Sequence, residues 1–208
     1  GERDRAQAVI IQLDTPGGLL DSTRLIVEDL LNARVPTVVF VAPRGAQAAS
    51  AGTFITAAAH LAVMAPGTNI GAASPVGAGG EELPETLANK ATQDAAALMR
   101  AIAQARGRNV EKLEETVLQA TSYAATEAVE LGVVNFMADD LEDLLRKLDG
   151  QTVTLDTGPV TLSTLGAEVR RANKSLVDSF LDFISDPNIS FLLFSLGGFA
   201  VKVLIEQG

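Results

Sequence analysis

Apolar residues come in two rhythms along the first 150 positions. Ala8-Val9-Ile10-Ile11-Gln12-Leu13 is a short, nearly continuous apolar run that breaks into Asp14-Thr15-Pro16-Gly17-Gly18, the mark of a strand buried on both faces and ended by a tight turn. Asp21 or Ser22 is then placed to cap a helix carrying Leu25, Ile26, Leu30 and Leu31 at helical spacing before Pro36. Thr37 to Val41 predicts the next strand. Strand, helix and strand within so short a stretch form a βαβ unit with a parallel sheet, so the class is α/β.

The small residues from Gly45 to Thr53 lead into Phe54 to Ala59, an alanine-rich segment suited to a closely packed helix, and Leu61 to Ala65 predicts a third strand. Ser74 to Glu85 is rich in Gly, Pro and Glu without periodicity, which predicts a mobile loop. Helices are predicted from Leu87 to Arg106, with Gly107 as the stop, from Val110 to Gln119, and briefly from Thr126. Val133 to Phe136 predicts a strand and Asp140 to Leu148 an amphipathic helix. Past Gly150 the pattern turns Thr-rich, with a hairpin expected around Asp156-Thr157-Gly158-Pro159 and a helix from Ser175. Ile189 to Ile205 carries Lys202 as its single charge and sits at the short edge of a bilayer span.

Composition narrows the chemistry. The 208 residues are 47% apolar and 20% charged, which allows a sizeable core and argues against disorder. A formal net charge of −10 disfavours a phosphate-tracking surface, so no nucleic-acid partner is expected. There is no cysteine and one histidine, His60. Thiolate and two-histidine chemistry are thereby excluded; neither a metal nor a cofactor is expected.

Two glycine-containing turns follow strands, where ligands of parallel sheets gather. Gly17 and Gly18 offer unobstructed backbone N–H groups, and Ser50 opens a helix where its hydroxyl and the Ala51 N–H could meet one carbonyl. The alternative is plain: the glycines permit a turn and Ser50 caps a helix. His60 is no base for Ser50, because ten helical residues would separate the two by roughly 15 Å; it suits a helix C-terminus, favoured by the dipole there. Lys90, at the junction of loop and long helix, serves as a base only if desolvated, and is otherwise a solvated lysine.

Gln12 to Gly18, Gly45 to Thr53, His60 to Ala72 and Gly107-Arg108-Asn109 together resemble the NfeD-type membrane serine proteases, the stomatin-operon partners, of the Clp/crotonase superfamily. The resemblance covers roughly residues 8 to 148. It implies a ClpP/crotonase-like parallel sheet of repeated β-β-α and βαβ units with flanking helices, followed by a short β/helical tether. It implies Ser50 as nucleophile and Lys90 as base of a Ser-Lys dyad, with the backbone of Gly17, Gly18 and Ala51 forming the oxyanion hole.

The same resemblance implies a division into a ClpP-like protease domain over 1–149, lacking an N-terminal strand that family members carry, a linker over 150–186 with the hairpin and an amphipathic helix, and the start of a transmembrane segment over 187–208. The expected substrate is an apolar segment of a peptide or protein, a stomatin-like membrane protein, cut by a membrane-attached homo-oligomer, dimer or larger, with its protease domain extracytoplasmic. Two other readings stand beside it: a catalytically silent membrane scaffold, and a crotonase-type acyl-CoA hydratase or isomerase. The latter leaves Ser50 without a role, and no acidic pair sits in the two turns.

Overall fold

A computed structural model of the chain describes residues 6–76, 84–171 and 200–207, the last of these as backbone. Four strands run parallel in one sheet: β1 (Ala6–Asp14), β2 (Thr37–Val41), β4 (Leu61–Met64) and β7 (Phe136–Met137). Between β2 and β4 the chain passes through the short strand β3 (Gln47–Ala49) and helix α2 (Ala51–Ala58). Helix α1 (Leu20–Leu31) connects β1 to β2, as the βαβ pattern predicts. Its N-cap position is Leu19, with no capping side chain; Asp21 and Ser22 lie inside the first turn instead.

The unbroken apolar strands are explained by what covers each face. Val39 and Val41 of β2, Ala62 and Met64 of β4 and Leu13 of β1 enter one buried cluster, with residues of α1 and α2. It takes in Ala95, Ala96, Met99, Ile102 and Ala103 of α3 (Glu85–Ala105), and side chains of α4 (Val110–Leu118) and α5 (Ala125–Glu130). The alternate residues Ala8, Ile10, Val38, Phe40, Leu61 and Val63 face a second cluster, closed by Leu144 and Leu148 of α6 (Leu141–Leu148). Both faces are dry, so the period-two signal of a half-exposed strand is absent. The hairpin of β8 (Thr152–Leu155) and β9 (Gly158–Thr161), expected within a linker, buries Val153 and Leu155 in this second cluster, beside Leu162.

Two further strands extend the sheet beyond β1. Strand β11 (Ala200–Gln207) pairs antiparallel with β1 and with β10 (Glu168–Arg171), giving the order β10-β11-β1-β2-β4-β7. Six residues of the stretch assigned to a membrane segment from hydropathy, 200–205, thus lie in a sheet; the rest of it falls outside the described residues, as does the helix expected from Ser175. Val201, Val203, Leu204 and Ile205 suit a buried strand as well as a membrane helix, and an apolar run alone does not separate the two. No helix among the described residues is long and apolar enough to cross a membrane.

A second, smaller sheet sits at the carboxyl end of the first. Its order is β3-β5-β6, with β5 (Asn69–Gly71) parallel to β3 and antiparallel to β6 (Ser122–Ala124). Strand β3 runs directly into Ser50.

Candidate active site

The end of β1 is fastened to β3 residue by residue. Asp14 Oδ1 accepts the Gln47 N–H at 3.0 Å. The Thr15 N–H donates to Gln47 O at 2.7 Å, and the Ala49 N–H to Thr15 O at 3.1 Å. The turn Pro16-Gly17-Gly18 therefore leaves β1 beside the point where β3 becomes α2. A Cβ built on Gly17 would lie 3.1 Å from Ser50 Cβ and 3.5 Å from Ser50 Oγ, and one on Gly18 would lie 3.3 Å from Ala51 Cβ. The two glycine turns that the sequence offered separately are in contact.

Ser50 sits at φ 50°, ψ −113°, and its side chain makes no capping bond to α2. The helix-cap reading of this serine fails on that geometry. A non-glycine residue at positive φ costs about 1–3 kcal/mol and persists only where its surroundings impose it. Here they do: the Ser50 N–H donates to Gly71 O at 3.0 Å, and Ser50 O accepts from the Thr53 N–H at 3.0 Å. The buried Thr53 hydroxyl lies 2.9 Å from both Ala48 O and Gly71 O. Gly71 itself runs so close to the chain before β6 that a Cβ would stand 2.2 Å from Thr121 O.

Each residue of the Ser-Ala-Gly-Thr block has its own part in this geometry. Ser50 carries the strain, Ala51 is small enough to face Gly18, and Thr53 anchors the turn. Gly52 is required by close approach, since a Cβ there would meet Thr15 Cγ2 at 2.7 Å.

Ala51 is the first residue of α2, so its N–H has no intrahelical acceptor. Gly18 lies ahead of α1, whose N-cap Leu19 contributes no side-chain bond. No acceptor takes the Gly18 N–H among the described residues. Gly17 is different: its N–H is held by Thr15 Oγ1 at 3.1 Å. Two uncapped helix N-termini thus meet at Ser50 with two N–H groups that have no acceptor among the described residues, a setting that favours developing negative charge.

Lys90 lies exposed in the second turn of α3, and no hydrogen bond or ion pair joins it to Ser50. Its helix is tied to α1 one turn further on, where Arg24 Nη2 meets Asp94 Oδ2 at 2.5 Å. Much of the loop expected before it, residues 77–83, is outside the described residues.

His60 stands past the opposite end of α2 from Ser50, in agreement with its exclusion as a base. Its Nδ1 accepts the Thr37 N–H at 3.2 Å and lies 2.8 Å from Thr37 Oγ1. Burial above all, then the Arg106 and Arg108 guanidinium groups, lower its pKa to about 4, against a smaller pull from Asp156. The imidazole is therefore neutral near pH 7 rather than a cation completing the helix dipole. That task belongs to arginines which sequence reasoning missed. Arg108, buried, donates to Ala57 O and Ala59 O at 3.0 Å each and to Asn135 Oδ1 at 2.9 Å. Burial, with Arg106 nearby, lowers its pKa to about 10. Arg106 donates to Ala58 O and Leu30 O at 2.7 Å each, holding the C-terminal ends of α2 and α1 together. Asn109 caps α4, accepting the Lys112 N–H at 3.1 Å. Gly-Arg-Asn is thus a structural joint; the available signal was a Gly-ended helix followed at once by arginine and a capping residue.

A parallel α/β sheet that presents a strained serine at its strand ends, beside a Gly-Gly turn and a free helix-terminal N–H, defines a ClpP-like fold. Residues 1–157 match the family NfeD1b, N-terminal domain, and the chain belongs to that family. It is 38% identical over 209 residues to the membrane-bound protease PH1510 of Pyrococcus horikoshii, covering 97% of this chain and 46% of that protein. It therefore spans about half the length of the curated relative it matches. Among solved structures, the lysine-to-alanine mutant of 1510-N, a membrane-bound stomatin-specific protease, in complex with a substrate peptide superposes with a TM-score of 0.74 at 36% identity, covering 86% of this chain and 84% of that one. The 1510-N protease specific for a stomatin homolog from Pyrococcus horikoshii gives 0.69 at 35% identity, with 86% and 83% covered. ClpP1 from Listeria monocytogenes, at 21% identity, 66% and 76% coverage and a TM-score of 0.51, shares the fold.

Proposed function

We propose that this chain is the peptidase part of a membrane-associated serine endopeptidase, with Ser50 as nucleophile and Lys90 as general base. The observation that carries this reading is Ser50 held at φ 50° against the Gly17-Gly18 turn, with the Ala51 N–H unengaged beside it. Ser50 Oγ attacks the scissile carbonyl while neutral Lys90 Nζ takes the hydroxyl proton. The N–H groups of Gly18 and Ala51 hold the oxyanion. Lys90 returns the proton to the leaving amine as the C–N bond breaks; the Lys90 amine then takes a proton from water as it attacks the acyl carbon, and gives that proton to Ser50 Oγ as the ester bond breaks.

Lys90 is exposed here, so the reading requires a bound peptide to cover it. A peptide laid along the site would exclude water from the ammonium and favour the neutral amine. The names of the related proteases point to a stomatin homolog as substrate, and the proposal extends this to an apolar segment of a stomatin-like membrane protein. Attachment to a membrane with an extracytoplasmic protease domain, and assembly as a homo-oligomer, complete the proposal. The exposure of Lys90 and the absence of a hydrogen bond between it and Ser50 favour one competing reading, a silent scaffold that keeps the fold.

A fluorophosphonate probe and an apolar peptide from a stomatin-like protein separate the two. Labelling is expected in the wild type and lost in Ser50→Ala, and peptide cleavage is expected to fall by about 10³-fold or more in Ser50→Ala and Lys90→Ala. Labelling that survives Ser50→Ala removes the nucleophile; cleavage unchanged in Lys90→Ala removes the base. A wild type that neither labels nor cleaves supports the scaffold.

A further inference from the structure

Thr15 is completely buried at the junction of β1 and the Pro-Gly-Gly turn, and its hydroxyl makes two bonds to one residue. Its Oγ1 accepts the Gly17 N–H at 3.1 Å and donates to Gly17 O at 2.9 Å. The second bond matters more. Gly17 O belongs to the same planar, trans peptide unit as the Gly18 N–H, and the two point in opposite directions across it. Fixing the carbonyl toward Thr15 therefore fixes the direction of the Gly18 N–H.

That peptide has little else to hold it. It joins two glycines, with Gly17 at φ 151°, and a Gly-Gly peptide rotates with a low steric barrier. The Thr15 side chain, in contrast, is wedged. Its Cγ2 fills the place where a Cβ on Gly52 would stand 2.7 Å away, so the first turn of α2 restrains the rotamer that aims the hydroxyl. Thr15 touches the turn with its oxygen and the nucleophile's helix with its methyl.

We infer that Thr15 is a positioning residue for the oxyanion site: its hydroxyl sets the Gly17–Gly18 peptide plane so that the Gly18 N–H converges with that of Ala51. The inference rests on the reading of Ser50 as nucleophile. It also divides the labour within the turn, because the Gly17 N–H, spent on Thr15, is unavailable to substrate.

The test compares side chains of equal shape that differ in the hydroxyl, in the full chain. Thr15→Val keeps both branches and loses the oxygen; kcat for peptide cleavage, and the rate at which a fluorophosphonate modifies Ser50, are expected to fall about tenfold to a hundredfold with KM within about twofold. Thr15→Ser keeps the oxygen and is expected to stay within about threefold of wild type in kcat, even if its unfolding midpoint falls. Thr15→Ala, which differs from Thr15→Ser in the hydroxyl alone, repeats the comparison should the valine variant not fold. Equal kcat across either pair overturns the inference, as does a loss that appears in KM alone. Ser50→Ala, run beside them, keeps the failures apart: if it still labels, the nucleophile reading falls and this inference with it, whereas a silent Ser50→Ala with an active Thr15→Val removes the role of Thr15 only.

Discussion

Helix α2 follows Ser50, whose backbone is strained and whose side chain makes no cap, and its first N–H has no acceptor among the described residues; it ends at Ala58 among carbonyls bound by Arg106 and Arg108. Both ends of any helix leave backbone groups without partners. At the C-terminal end the chain satisfies them with charged donors drawn from beyond α3. At the N-terminal end it leaves them open and tightens everything around them instead: Gly71 O on Ser50, Thr53 on Gly71 O, Thr15 against Gly52. One helix thus separates a strained, open end from a satisfied one along eight residues.

The contrast can be broken from either end. The largest stability effect is expected at the satisfied end, where Arg108→Met strands Ala57 O, Ala59 O and Asn135 Oδ1 in a buried setting. Urea unfolding is expected to show a loss of about 3–5 kcal/mol, while the folded fraction keeps its turnover. Next comes Gly52→Ala at the open end, where the new methyl must displace Thr15. A loss of about 1–3 kcal/mol is expected in the same assay, with turnover of the folded enzyme reduced at least about tenfold. If Gly52→Ala costs stability but leaves turnover intact, the contact between Thr15 and Gly52 does not set the geometry of the open end.

The smallest effect is a pH dependence at the satisfied end. His60 has its pKa lowered from 6.5 to about 4 in the folded protein. Above pH 6.5 it is neutral folded and unfolded; between 6.5 and 4 the unfolded chain takes up a proton that the folded one refuses. Its contribution is therefore present above 6.5 and is lost as the pH falls toward 4. His60→Gln is expected to flatten the change in urea midpoint across that window, and an unchanged slope would assign the dependence to other groups.

The sheet and most helices were legible in the chain: Thr37 to Val41 declares a doubly buried strand through a short unbroken apolar run between Pro36 and Pro43, and Leu87 to Arg106 a helix through its length and spacing. What periodicity could not show is the small sheet of β3, β5 and β6. Each of its strands has three residues, too few for a period, and Gln47-Ala48-Ala49 is a strand only because Thr15 and β5 flank it. That sheet is what bends the backbone at Ser50. Gly17, Gly18 and Ser50 could be picked out as residues, but their contact and the strain could not. The reading of Asp21 or Ser22 as a cap failed for a related reason: a polar side chain near a helix start is a cap only if the backbone places it there, and Leu19 holds that position.

The Gly18 and Ala51 N–H groups proposed to hold the oxyanion are main-chain atoms, and this decides which tools can see them. A scan that replaces side chains with alanine one at a time would register Ser50 and pass over both N–H groups, because proline alone among the natural residues lacks a backbone N–H, and it fixes φ as well. Only replacing the amide itself, for example by an ester linkage at Gly18 or Ala51, removes the hydrogen while leaving the shape. Side chains matter at these positions through the backbone path they permit, since a Cβ on Gly18 would stand 3.3 Å from that of Ala51, so what the site must keep is a curve in space more than a set of functional groups.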